Sequence, residues 1–305
     1  MIQTAVQQIM LGTVCKTEEK ALEALRAVKA AGYDGIELNG FMIRPTGFLV
    51  RTLTKFAGMP TGKGGKYDWK SLVSEAGLRV ISIHEDLGTV KNSPEKVIEE
   101  AKNFGTDKVV ITGMYRFDYG SAAALEGLCR DLSQCGKILA ESGIQLLYHN
   151  HNCELLKLSA PEKEAPFCSA LRGSAYDYIF RHTDPDAVGF EFDSYWFTDG
   201  GANVPAVMQA LGPRMKLWHV TDRGTRQSGP SMTPILKYDS MEAGYGSMDL
   251  DTLCAIAKEN GIDAAVLETH RNFKDNSPLT SLKLSAEYLN RRFHSRSVPE
   301  RSVRM

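Results

Sequence analysis

Five of the seven histidines in this chain sit beside carboxylates at the ends of short apolar runs. His84, Glu85 and Asp86 close "VISIHED". His149, His151 and Glu154 close "IQLLYHNHNCE". Glu191 and Asp193 close "VGFEFD", His219 and Asp222 close "KLWHVTD", Glu268 and His270 close "AAVLETH", and Glu37 closes "GIELN". Imidazoles and carboxylates are the side chains that bind divalent cations and move protons near neutral pH. Charges are seldom buried without partners, so such a set at the tails of apolar runs calls for a cation or a shared proton network. Two neutral imidazoles with two carboxylates suit Mn²⁺, Fe²⁺, Co²⁺ or Zn²⁺ better than an all-oxygen Mg²⁺ shell. Each residue also has a plainer reading. A strand-end histidine is often hydrogen-bonded structure, Asp193 fits a helix N-cap, and Glu191 fits the partner of a ligand. Glu268 resists such a reading, because the run before it is wholly apolar. In an extended run His149 and His151 share one face, with Asn150 on the other.

These groups act together only if the fold brings them together, and a repeated grammar along the chain supplies that fold. At "KAAGYDGIEL", "SEAGLRVISIH", "KNFGTDKVVIT", "AESGIQLLYH", "QALGPRMKLWH" and "KENGIDAAVLE" an amphipathic segment ends in glycine and a short apolar run follows. Glycine after a helix is the residue that takes positive φ without penalty. Runs rich in Val, Ile and Leu with little alternation suit strands buried on both faces of a parallel sheet. "NSPEKVIEEAKNFG" offers Ser93 as N-cap ahead of Pro94, and Asp249 precedes another helical segment. With "TAVQQIML" and "DAVGFEFD" added, the predicted strands lie near 4–10, 35–39, 78–84, 108–112, 145–151, 188–193, 215–220 and 264–269. Eight alternating units predict an α/β fold, a single-domain (β/α)8 TIM barrel over residues 1–290. A doubly wound open sheet is the alternative, and it would leave edge strands less uniformly apolar. Long connections at 40–66 and 221–248 leave the C-terminal strand ends, the side on which barrels carry their sites. Residues 291–305 form a basic tail.

Composition narrows the classes. The 305 residues are 43% hydrophobic and 24% charged, with net charge −1. A near-neutral chain has no overall electrostatic pull toward nucleic acid. No Gly-rich nucleotide motif follows any strand, and no apolar run nears the roughly 20 residues of a membrane span. The N-terminus shows no signal-peptide pattern. The six cysteines are scattered without a CxxC pair, which fits reduced thiols in the cytoplasm. The expected partner is a small molecule rather than nucleic acid or membrane, with a homo-oligomer possible through the tail.

"GYDGIEL", "GIQLLYHNHNCE", "FEFDSYW", "LWHVTD", "GYGSMDLDTL" and "AVLET" together resemble the sugar phosphate isomerase/epimerase superfamily of xylose isomerase-like TIM barrels. Within it the chain is similar to the "YHNH" branch related to inosose dehydratase and tagatose epimerase-like enzymes. The resemblance implies one divalent metal held from strands 5 to 8, here by His149, Asp193, His219 and Glu268. Mn²⁺ is the first expectation, with Co²⁺, Fe²⁺, Zn²⁺ or Mg²⁺ as alternatives, and no other cofactor. It also implies proton abstraction next to the carbonyl of a keto-sugar through a metal-bound enediolate. Glu268 is the first candidate for base and Glu154 the second, with His84 and His151 as proton shuttles. Glu37, Trp196, Asp222 and Tyr245 are candidate substrate contacts, with Phe41 and Trp218 as further aromatic faces. One departure matters: ketose epimerases carry Glu where His149 stands, so their two-Glu mechanism does not transfer intact. His151 or Glu154 then becomes an alternative at the metal. A second departure puts Trp196 where the family pattern has a histidine. The implied activity is a sugar isomerase or epimerase, with a lyase or dehydratase acting by β-elimination as the alternative. A metal hydrolase and an idle binding subunit stand further off. The lack of a Gly-rich phosphate cradle favours an unphosphorylated substrate.

Overall fold

All six junction glycines, Gly32, Gly77, Gly105, Gly143, Gly212 and Gly261, take positive φ, from +51° to +102°. At Gly105 and Gly261 the left-handed residue returns its N–H to carbonyls of the last helical turn, which stops the helix and releases the chain into the next strand. The structure, a computed structural model, describes residues 2–45, 64–114, 116–159, 165–227 and 229–294.

The strands are β1 (Gln3–Gln7), β2 (Gly35–Asn39), β3 (Arg79–Glu85), β4 (Lys108–Thr112), β5 (Gln145–His149), β6 (Val188–Asp193) and β7 (Met215–Val220). A short antiparallel hairpin, β8 (Asp222–Gly224) and β9 (Asp239–Met241), precedes β10 (Ala264–Leu267). Eight of them close a parallel barrel in the order β1-β10-β7-β6-β5-β4-β3-β2. The expected TIM barrel is therefore what forms, and closure leaves the open-sheet alternative without its edges. Element ends differ by a few residues. The first strand gives way at Gln8 to a 3-10 turn, β5 stops at His149, and β10 stops one residue before Glu268.

Register places the chemistry at one end. His149 pairs with Glu191, and an irregularity between Phe190 and Glu191 sets Asp193 opposite His219. Leu147, Leu217 and Val266 lie two residues before His149, His219 and Glu268, hence on the same face. With Ala5, Ile81, Val110 and Ala264 they form a dry plug inside the barrel, beneath the polar tips. The larger core lies between strands and helices.

Asp249 caps its helix through Thr252 N–H at 3.1 Å, as expected. Ser93 takes the N-cap position but its hydroxyl makes no capping bond, because its ψ of 55° is not the extended value that aims a side chain at the first turn. In the connection at 40–66 a short helix, Gly40–Ile43, and a 3-10 turn, Gly64–Lys66, are described, and residues 46–63 lie outside the described residues. The connection at 221–248 contains the β8–β9 hairpin. The final helix, Pro278–Phe293, runs past the expected barrel limit at residue 290, while 295–305 of the basic tail lie outside the described residues. All six cysteines are free thiols, and no helix among the described residues is long and apolar enough to cross a membrane.

Candidate metal centre

The strand tips converge. One ligand atom from each of His149, Asp193, His219 and Glu268 lies within 4.8 Å of the others, and all four residues are buried. Their positions are fixed by neighbouring backbone and amides. Asn150, on the opposite face of the strand end, donates to Asp193 O at 3.0 Å and accepts from Asp193 N–H at 2.9 Å. Asp193 divides its oxygens: Oδ1 caps the next helix through Trp196 N–H at 2.9 Å, and Oδ2 lies 3.9 Å from His219 Nδ1. Asp193 thus meets its N-cap reading with one oxygen and turns the other toward His219. Thr221 donates to Glu268 O, tying the tips of β7 and β10 together.

A second set, His84, His149, Glu191 and His219, is equally close. Its atoms already contact one another. Glu191 Oε2 lies 2.9 Å from His84 Nε2, 3.1 Å from His149 Nδ1 and 3.2 Å from His219 Nε2. Glu37 Oε1 lies 2.8 Å from His84 Nε2 and 2.7 Å from His219 Nε2, and Ser82 donates to its other oxygen. His84 Nδ1 meets Thr112 Oγ1 at 2.9 Å. Here two carboxylates share three imidazoles at close range, with Glu191 Oε1 left without a hydrogen-bond partner among the described residues.

The upper set is not balanced. Glu268 Oε2, at 2.8 Å, and Asp193 Oδ2 both face the one His219 Nδ1, and a single proton cannot satisfy two carboxylates. Meanwhile Glu191 holds His149 Nδ1 and Glu37 holds His219 Nε2, leaving the opposite nitrogens for the centre. Carboxylates behind metal-binding imidazoles fix tautomer and orientation in this way. The donor set therefore fits one divalent cation at His149, Asp193, His219 and Glu268, with Glu37, Glu191 and His84 as the supporting layer.

Electrostatics agree. Burial raises Asp193 to about 8 despite the pull of His219. Burial alone would lower His219, but Glu191, Glu37 and Glu268 hold it well above the usual imidazole range. Burial and the His219 charge push His149 down to about 4. Burial opposes the charge on Glu268, yet His270 and His219 keep its carboxyl well below the usual range. Without a cation, Asp193 and His219 therefore carry protons at pH 7 that a bound metal must displace. Metal uptake at pH 7 is expected to release about two protons, so affinity rises with pH through neutrality. Titration calorimetry in buffers of different ionisation enthalpy checks this, and buffer-independent heats would contradict it.

The other sequence-derived candidates fall in different places. His151 stays beside the centre, its ring 5.1 Å from that of His149, although the strand has ended before it. Glu154 is turned away into a closed network. It is fully buried and accepts from Tyr148 Oη at 2.8 Å, His151 N–H at 3.0 Å and Cys153 Sγ at 3.1 Å. That geometry brackets the loop carrying His151 and leaves Glu154 without a face toward the centre. Glu37 and His84 belong to the supporting layer. Asp222, expected at substrate, instead accepts backbone N–H groups of Arg223, Gly244, Gly246 and Met248 at 2.8 to 3.1 Å. Tyr245 is 51% exposed on the loop after β9. Trp218 is fully buried with its indole N–H on Ser194 Oγ at 3.0 Å, so it faces the helices rather than a substrate. Trp196 remains at the rim, its ring 5.7 Å from both His151 and His270. Ser82, Thr112 and Thr221 went unnoticed in the sequence, and Asn150 was placed there only as the residue facing away from the two histidines. For Asn150 alone there was a signal, its place between two site histidines.

A family profile described as "Xylose isomerase-like TIM barrel" matches residues 25–292. The chain belongs to that family. Among solved structures, this xylose isomerase-like barrel is similar to a sugar phosphate isomerase/epimerase from Parabacteroides distasonis. The TM-score is 0.70 at 21% identity, covering 94% of this chain and 92% of that one. It is also similar to the IolI protein with a bound zinc atom (TM-score 0.61, 13% identity, 95% and 98% covered). A third likeness is to AsbF, a probable 3-DHS dehydratase from Bacillus anthracis (TM-score 0.59, 12% identity, 95% and 99% covered). No curated protein sequence matches the chain.

Proposed function

We propose that this xylose isomerase-like barrel is a metal-dependent isomerase or epimerase that removes a proton next to the carbonyl of a keto-sugar. The observation that carries the reading is the convergence of His149, Asp193, His219 and Glu268 at the C-terminal mouth, with an ionised Glu268 among them. A divalent cation there would polarise the carbonyl and stabilise negative charge developing on its oxygen. Glu268 accepts the α-proton, its strand tip tied to β7 by the Thr221 hydroxyl on its backbone carbonyl. His151, buried and pushed down to about 4, stays neutral and so offers a hydrogen bond to a substrate oxygen. Its position is held by the Glu154 bracket. Returning the proton to the neighbouring carbon isomerises the sugar, and returning it to the opposite face epimerises it. The likeness to the Parabacteroides isomerase/epimerase supports this assignment.

One observation favours a second reading. His149 stands where the ketose epimerases have a catalytic Glu, and Glu154 is withdrawn, so among the described residues Glu268 is the glutamate left at the mouth to act as base. One base with an adjacent imidazole donor suffices for β-elimination, in which the α-proton leaves to Glu268 and the β-oxygen departs with a proton from solvent while hydrogen-bonded by the His151 N–H. The likeness to AsbF points the same way. Incubating the metal-loaded protein with keto-sugars in D₂O separates the two. Deuterium at the α-carbon without a new ultraviolet-absorbing enone is the expected result, and growth of an enone assigns elimination. Exchange with no keto-sugar at all would overturn the carbonyl chemistry itself.

A further inference from the structure

Among the described residues, aromatic and imidazole rings line the rim of the centre around Trp196. Asp193, through its N-cap bond, seats Trp196 directly over the mouth, between His151 and His270 at 5.7 Å each. The indole Nε1 of Trp196 is buried and has no hydrogen-bond partner among the described residues, a costly state for a donor unless a ligand oxygen meets it. Among the described residues, four of the arginines on the loops at the same end hold carboxylates, while Arg116 after β4 is exposed. Arg44 is clasped by Glu85 and Glu100, Arg223 lies 3.0 Å from Asp199, Arg226 lies 2.5 Å from Glu242, and Arg271 lies 2.8 Å from Asp239. Arg223 also lies over the Tyr238 ring at 5.0 Å. Phosphate recognition uses uncommitted arginines or N–H cradles, whereas a sugar's C–H face stacks on an aromatic ring and its hydroxyls accept from N–H donors.

We infer that Trp196 selects an uncharged, unphosphorylated carbohydrate, stacking on its apolar face and donating the indole N–H to one of its oxygens. This rests on the proposed sugar chemistry of the site. The buried Trp69 and Trp218 leave Trp196 as the tryptophan at the rim, so ligand quenching of fluorescence reports on it. The probes are a free ketohexose, a methyl ketoglycoside and a cyclic polyol, each beside its phosphate ester, added to protein of measured metal content.

Neutral compounds are expected to quench and to bind at least 10-fold more tightly than their esters. Trp196→Phe, which keeps a stacking face but loses the donor, is expected to weaken binding about 5-fold by titration calorimetry, and Trp196→Ala several times more. Metal content and the visible spectrum of the Co²⁺-loaded protein should be unchanged in the Phe variant, which separates recognition from folding. Esters that bind as tightly as the free compounds, or an unaltered Phe variant, would overturn the inference. Metal-loaded protein that binds none of the probes would also overturn it while leaving the metal centre standing. Protein that takes up no metal would overturn the underlying reading first.

Discussion

Glu268→Gln is expected to abolish turnover while leaving the barrel folded. The substitution keeps the shape of the side chain and removes its charge. Two losses compound. General-base catalysis is worth about 10²–10⁴-fold, so turnover at saturating metal should fall by about 10³-fold. The centre also loses an anionic donor, and metal affinity should fall by more than the roughly 10–100-fold that removal of a supporting partner costs. The two effects are separable by measuring α-proton exchange in D₂O across a metal titration. A base role predicts that exchange stays low even when excess metal restores occupancy. If excess metal restores full exchange, Glu268 is a ligand only, and the proton goes elsewhere.

Glu191→Ala should produce the largest change in stability. Glu191 is fully buried, with His84, His149 and His219 around one of its oxygens. Truncating one member of a buried ionic set costs roughly 3–5 kcal/mol, because the remaining charges stay buried and unmatched. Burial alone would lower His84, but Glu37 and then Glu191 raise it to about 10. A histidine raised in the folded state stabilises fully below its unfolded pKa near 6.5, and that contribution fades as pH rises through about 10. In the metal-free protein the penalty for Glu191→Ala should therefore be large at pH 6 and shrink above pH 10. Denaturant titrations across that range measure it. A penalty that does not vary with pH would mean Glu191 acts only by packing. Glu191→Gln, which keeps the shape, should instead weaken metal binding roughly 10–100-fold, since His149 loses its anionic partner.

The barrel was legible in the sequence because its signals are local. A glycine that ends a helix and the apolar run behind it lie within a few residues of each other, and all six junctions behave as their chemistry dictates. His149, Asp193, His219 and Glu268 were legible because they sit at strand tips, where topology alone brings them together. What resisted was decided by distant partners or by turns. Asp222 looked like a substrate contact because its backbone partners Gly244, Gly246 and Met248 lie 22 to 26 residues further on. Glu154 looked like a base because strand alternation says nothing about the 3-10 turn that swings it toward Tyr148. Trp218 was the avoidable misreading. It neighbours His219 on one strand, and alternation already sends the two to opposite faces.

The Asp222 bracket has an evolutionary consequence. It closes the base of the β8–β9 excursion by backbone N–H groups alone, and at Gly246 a Cβ would lie 2.3 Å from Asp222 Oδ1, so nothing larger than glycine fits. Because the clamp reads main chain and not side chains, the segment between Arg226, which is held by Glu242, and Asp239 is insulated from His219, three residues before the clamp. Its sequence is free to drift, lengthen or be exchanged without retuning the strand tip. The bracket thus makes the outer loop a replaceable module on a fixed chemical core, and new substrate preferences can be explored there at little risk to the fold.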